Sequence, residues 1–352
     1  MAFRHALLLC LVLPLGSLGA AAAGLTEIGK IDIPGAPVTA FGTIYLDQKA
    51  GRAYLADKDN KSMDIIDTRR DRYVGRIDGL VGIRQSGETT GPNGFLTTGN
   101  EGWIGDGDST VKIVDLKSGK ILDSISTGGA KRIGELSYDP KHRVVLAANP
   151  NDKPGFVTLI SARAGHKIIA RIALPDATDS IERSAYHAAT GRFYVNMPEL
   201  GGVKNRGGLA VIEPSGKLAR VIPLDSCNPH GIAQSGNRLY LGCGSRDDLP
   251  VGSMGVVDVK QGKLIANVPG LGGSGQWALN PRTGLIYAAS GNKGSNMLNI
   301  IDYKAMKLVD KIQASAGSHS ITVSAANDHV YFPTVTKGGP CGGCVLVYAP
   351  AP

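Results

Sequence analysis

What this chain lacks narrows it first. No stretch shows helical apolar periodicity of useful length, which sets aside helical bundles and alternating α/β folds. Only 5% of its 352 residues are Phe, Trp or Tyr. Few of these are left to stack on bases, so nucleic-acid binding is not expected. Beyond the first fifteen residues no long apolar run occurs, so no further spanning helix is expected. There is no Gly-x-Ser-x-Gly elbow. Gly272-Gly273-Ser274-Gly275 does not sit between a strand and a helix, so it is not a phosphate-cradling loop. Val345 follows Cys344, so there is no Cys-x-x-Cys-His site for covalent haem.

The one apolar run, Ala6 to Leu15, follows a basic start at Arg4-His5 and leads into Ala21-Ala22-Ala23. It is too short to span a bilayer, and the small residues form an Ala-x-Ala cleavage site before Gly24. Residues 1–23 therefore read as a secretory signal and 24–352 as a single domain, with no integral membrane segment after cleavage and a periplasmic or secreted location. Of five cysteines, Cys10 lies in the leader, leaving Cys227, Cys243, Cys341 and Cys344. An even number in an exported protein suggests two disulfides.

What is present is a repeat. Short apolar runs ending in a polar or aromatic residue occur seven times: Ile65-Ile66-Asp67, Ile113-Val114-Asp115, Leu159-Ile160-Ser161, Val211-Ile212-Glu213, Val256-Val257-Asp258, Ile300-Ile301-Asp302 and Leu346-Val347-Tyr348. Their last residues lie 44 to 52 apart, a spacing that fits four short strands per unit. A second landmark, Tyr54, Trp103, Val145, Tyr194, Tyr240, Tyr287 or Tyr331, precedes each run. Turns such as Lys117-Ser118-Gly119-Lys120 follow it and introduce a fourth run. The seventh unit lacks that fourth run. Glu27-Ile28-Gly29-Lys30-Ile31-Asp32 matches Tyr73-Val74-Gly75-Arg76-Ile77-Asp78 nearly position by position, so the N-terminal segment is expected to supply it. The reading is all-β: a seven-bladed propeller of four-stranded blades, closed by an N-terminal strand.

With its Gly-Arg turns, Tyr-Val/Leu-Ala strands, Val-Ile-Asp strands and Gly-Lys turns, the chain from Gly24 onward resembles the YVTN-repeat propellers of the YncE-like family. The resemblance implies architecture rather than activity: related propellers include lactonases, lyases and a haem-binding domain.

Propeller topology puts the turns within strand pairs on one face. Here they are short and basic, as in Thr68-Arg69-Arg70-Asp71-Arg72, so the net charge of +8 reads mostly as a solvated surface. The other face carries the longer connections, such as Met197 to Gly208, Gly244 to Ser253 and Thr336 to Gly343, and is the expected working face. Residues just before each inner strand should meet at the channel mouth: Asn93, Arg132, Glu135, Glu182, Arg183, His230, Gln276, Trp277 and His319. They would clamp a small anionic molecule through Arg, or dock a protein partner. Alternatively the Arg and Glu residues simply neutralise one another. A second functional reading is an enzyme of lactonase or lyase type, with Glu182, Glu135 or a His as base or as ligand to a divalent metal. Non-covalent haem on His230 and His319 stays open. Cys227 and Cys243 are expected to pair within one blade. Cys341-Gly342-Gly343-Cys344 reads as a loop-closing disulfide, with thiol exchange or metal binding as the alternative.

Overall fold

The computed structural model describes residues 24–83, 91–244, 252–292, 295–315 and 317–351. The proposed leader and most of the Gly244–Ser253 loop lie outside them. Seven four-stranded antiparallel sheets form a ring. Blades 1 to 6 span Phe41–Ile77, Phe95–Ser126, Leu136–Ala173, Ser184–Asp225, Pro229–Pro269 and Trp277–Gln313. Blade 7 is built from Thr322–Val323, Val330–Pro333 and Cys344–Pro350, and its outer strand is Leu25–Asp32, paired antiparallel with Cys344–Pro350. The ring closes as the sequence predicts. Among the described residues no helix is long and apolar enough to cross a membrane.

The repeat has a local cause in five of the blades. The Asp ending the third strand folds back to cap the next turn, an Asx turn that fixes the reversal. Asp67 Oδ1 accepts from the Arg69 N–H at 3.0 Å, and Asp115 Oδ1 from the Ser118 N–H at 2.7 Å. Asp302 Oδ1 accepts from the Lys304 and Ala305 N–H groups at 2.9 and 2.8 Å. Ser161 does the same for Arg163 at 3.3 Å, which is why Ser stands in for Asp in blade 3. Each outer strand also carries one extra residue at one shared place. Ile28, Val74, Leu122, Ile169, Ala219, Ile265 and Val309 are skipped in the pairing with the third strand, as β-bulges. This explains the match between Ile28-Gly29 and Val74-Gly75: both segments carry the same bulge.

There is no single central core. Seven apolar clusters fill the seven gaps between neighbouring blades. The strand period of two divides each blade between its neighbours. Tyr54 packs toward blade 2 and Leu55 toward blade 7. The aromatic landmarks are interior: Trp103, Tyr194, Tyr287 and Tyr331 are fully buried.

Candidate functional site

The connections between blades deliver their last residues to the channel mouth just before each short inner strand. Backbone pairing extends past that strand and pins those residues. Glu182 N–H donates to the Asn196 carbonyl at 2.8 Å, and Asn196 N–H donates back to Arg183 at 3.0 Å. Ala148 N–H does the same for Glu135 at 3.2 Å. The result is a cavity of about 420 Å³ at the mouth, lined by Asn93, Arg132, Glu135, Glu182, Arg183 and His319, together with Lys58, Phe41 and others. Six of the nine ligand-binding candidates line this one cavity.

Its electrostatics are unbalanced. Arg183 Nε lies 3.5 Å from Glu135 Oε1, and its Nη1 donates weakly to the Ser274 carbonyl at 3.5 Å. Glu182 Oε1 lies 3.7 Å from His230 Nδ1. Three cations, Lys58, Arg132 and Arg183, thus face two carboxylates, Glu135 and Glu182. Two guanidinium nitrogens, Arg132 Nη1 and Arg183 Nε, are buried with no hydrogen-bond partner. Buried donors of this kind cost free energy unless something accepts from them.

Burial raises the Glu135 carboxyl above its ordinary range, against the pull of Arg183. Burial also acts to raise Glu182, but the hydrogen bond from His230 and the charges of His230, Arg183 and Arg132 outweigh it and hold Glu182 low. Desolvation pushes Arg132 down. It brings His319 to about 4, with Arg183, Lys58 and Arg132 adding to the effect and a hydrogen bond to Gly317 opposing it. The neutral His319 ring donates Nδ1–H to the Gly317 carbonyl at 2.7 Å and stacks on Phe41 with centroids 4.7 Å apart. Nε2 is then its acceptor.

Three candidates go elsewhere. His230 stands behind Glu182 and positions that carboxylate. Gln276 reaches across the channel: its Nε2 donates to the Ile44 carbonyl at 2.9 Å, and its Oε1 accepts from Ile44 and Ile321 N–H groups at 3.4 and 3.3 Å. It ties blade 6 to blades 1 and 7. Trp277 is buried between blades 5 and 6. Its indole fills a slot left by Gly231 and Gly242, where an added Cβ would fall 2.3 and 2.5 Å from ring atoms. Cys227 is bonded to Cys243, and Cys341 to Cys344.

Lys58 is the residue the sequence reading missed. It sits in the turn Asp57-Lys58-Asp59-Asn60-Lys61, whose composition looks like a solvated loop, yet it is only 6% exposed. Burial, with the nearby charge of Arg132, lowers its amine to about 8, while Asp59 opposes this. Among the described residues no carboxylate lies within ion-pairing reach of it.

The donor set does not fit a resident divalent metal. Among the described residues no three His, Cys, Asp or Glu side chains converge. Nor does it fit a porphyrin: the cavity wall carries five charged groups, and of the two histidines only His319 lines it.

Among solved structures the chain is similar to one in a crystal structure of the mitotic checkpoint complex, at 14% identity and a TM-score of 0.67, covering 99% of this chain and 98% of that one. It is also similar to a chain of Kuenenia stuttgartiensis hydrazine synthase, at 14% identity and a TM-score of 0.70, covering 90% and 98%. At such identity the likeness shows the propeller fold alone. No protein-family description and no curated protein matches the chain.

Proposed function

We propose that this chain is an exported propeller of the YVTN, YncE-like kind, which binds a small carboxylate- or phosphate-bearing molecule in the cavity at its channel mouth. One observation carries the reading: a buried Arg132 nitrogen without a hydrogen-bond partner, and a buried Arg183 nitrogen met only by Glu135 at 3.5 Å, belong to the lining of a cavity in which cations outnumber carboxylates. Arg is suited to such anions because its planar fork matches their oxygens. Residues 1–23 are its leader. The two disulfides are compatible with an oxidising, extracytoplasmic setting.

The propeller fold suggests a binding or scaffold role in general. A neighbour of this fold occurs in a checkpoint complex, so an acidic side chain of a partner protein is the competing occupant. The enzyme reading, a lactonase or lyase, draws on the raised Glu135 carboxyl and the neutral His319 ring as an acid and a base in one cavity.

The test is thermal unfolding with inorganic phosphate, small carboxylates, anionic sugars and lactones. A ligand at a hundredfold excess over its Kd stabilises by about 2.7 kcal/mol. Anions should raise the midpoint of the wild type and not that of Arg183→Ala. No shift with any anion removes the small-molecule reading and leaves the protein partner. Consumption of a lactone would move the assignment to the enzyme.

A further inference from the structure

Lys58 has surroundings unlike those of a surface lysine. Its stem is packed in place: Gly91, at φ +102, leaves the room, and a Cβ there would come 3.1 Å from Lys58 Cγ. Lys58 lines a cavity that Arg132 and Arg183 line as well. An amine that is desolvated and set among cations spends more of its time unprotonated, and an unprotonated amine is a nucleophile.

We infer that Lys58 forms an imine with small α-keto acids, whose carboxylate is held by Arg132 and Arg183 while their carbonyl carbon meets the Lys58 amine. The inference rests on the anion-binding reading of the same cavity. Arg supplies the orientation, converting an encounter into a held geometry. The Nζ lone pair attacks the carbonyl carbon, and an N–H proton moves to the oxygen, giving a carbinolamine. Glu135, whose carboxyl burial keeps protonated more readily, gives its proton to that hydroxyl. Water leaves, the nitrogen lone pair forms the C=N bond, and the products are an iminium, a Glu135 carboxylate and one water. Nothing is oxidised or reduced. With an amine at about 8 rather than 10.5, the free base is about 300-fold more populated at neutral pH than in an ordinary lysine.

The experiment is reductive trapping. The purified protein is incubated with pyruvate and cyanoborohydride, digested and mapped by mass spectrometry, with acetone as the neutral ketone and calorimetry with inorganic phosphate run in parallel. Lys58 should gain the mass of the keto acid plus two hydrogens less one water, at least tenfold faster than exposed lysines such as Lys117 and Lys260. Pyruvate should label it faster than acetone. Lys58→Arg should lose the label, and Lys58→Met serves as the second variant should the first misfold. Phosphate binding without preferential labelling of Lys58 overturns the imine and leaves the anion site standing. Labelling by acetone and pyruvate alike, with no phosphate binding, overturns the carboxylate clamp but not the reactive amine. Neither signal overturns both.

Discussion

Replacing Lys58 by Met should stabilise the protein at neutral pH. The side chain is 6% exposed, and burial lowers its amine from 10.5 to about 8. The folded state therefore disfavours the charged form relative to the unfolded chain, where the amine titrates normally. That penalty is fully present below pH 8 and disappears as pH rises through about 8 to 10.5. At roughly 1.4 kcal/mol per pKa unit its ceiling is about 3 kcal/mol. Met keeps an unbranched stem of similar length against Gly91 and carries no charge. A net gain of about 1–3 kcal/mol is expected once dielectric relaxation is allowed for. Urea unfolding of both proteins at pH 6.5 and pH 10 reads the difference directly. The gap should be wide at the lower pH and nearly closed at the higher. A Met variant less stable than wild type at pH 6.5, or a gap independent of pH, would refute the assignment of Lys58 as a strained, buried cation. A residue that costs stability where it stands is what a binding site held against the interests of the fold looks like.

Three further outcomes follow from the geometry. Sulfate, whose charge does not change in this range, should bind less tightly as pH rises through about 8, because Lys58 loses its charge there; a flat calorimetric profile between about pH 6 and 9 would contradict the charge arrangement. Replacing both Cys227 and Cys243 by Ala opens a cross-link between residues 16 apart and should cost about 3 kcal/mol in urea unfolding; a loss below about 1 kcal/mol would mean that the pairing of Pro229 with Cys243 already holds that segment. Gln276→Leu strands the Ile44 and Ile321 backbone groups at the inner edge and should cost about 2 kcal/mol, whereas a neutral effect would mean that channel water replaces the amide.

The fold was legible because the blades share local devices. An Asp caps the turn after the third strand in four blades and a Ser does so in a fifth, and one residue is skipped just beyond that turn's place in all seven, so the pattern recurs along the chain. The closing strand was legible for the same reason, since Ile28 occupies the position of Val74. The channel mouth was legible where topology alone decides it: Asn93, Arg132, Glu135, Glu182, Arg183 and His319 all lie just ahead of inner strands. Failures came where a neighbouring blade decides. Trp277 turned away because Gly231 and Gly242, some 40 residues earlier, leave an indole-shaped slot. Gln276 was taken up by the backbone of Ile44, two blades away around the ring. Lys58 hid in a turn of Asp, Asn and Lys that would be solvated anywhere except beside another blade's loop.

The skipped residues of the outer strands bear on solution behaviour. A ring of seven sheets presents seven lateral strands, each with free N–H and C=O groups that a strand from a second molecule could extend. Such extension would propagate, because every molecule offers seven points of attachment. One extra residue per outer strand breaks the two-residue repeat that an incoming strand must follow, so added pairing would run out of register within a few residues. Aliphatic side chains stand exposed at these same places, Leu122 at 58% and Ile28 at 50%. Deleting Leu122 to restore a regular strand should leave one pairing edge open and favour a dimer joined edge to edge, while the six remaining bulges stop further growth.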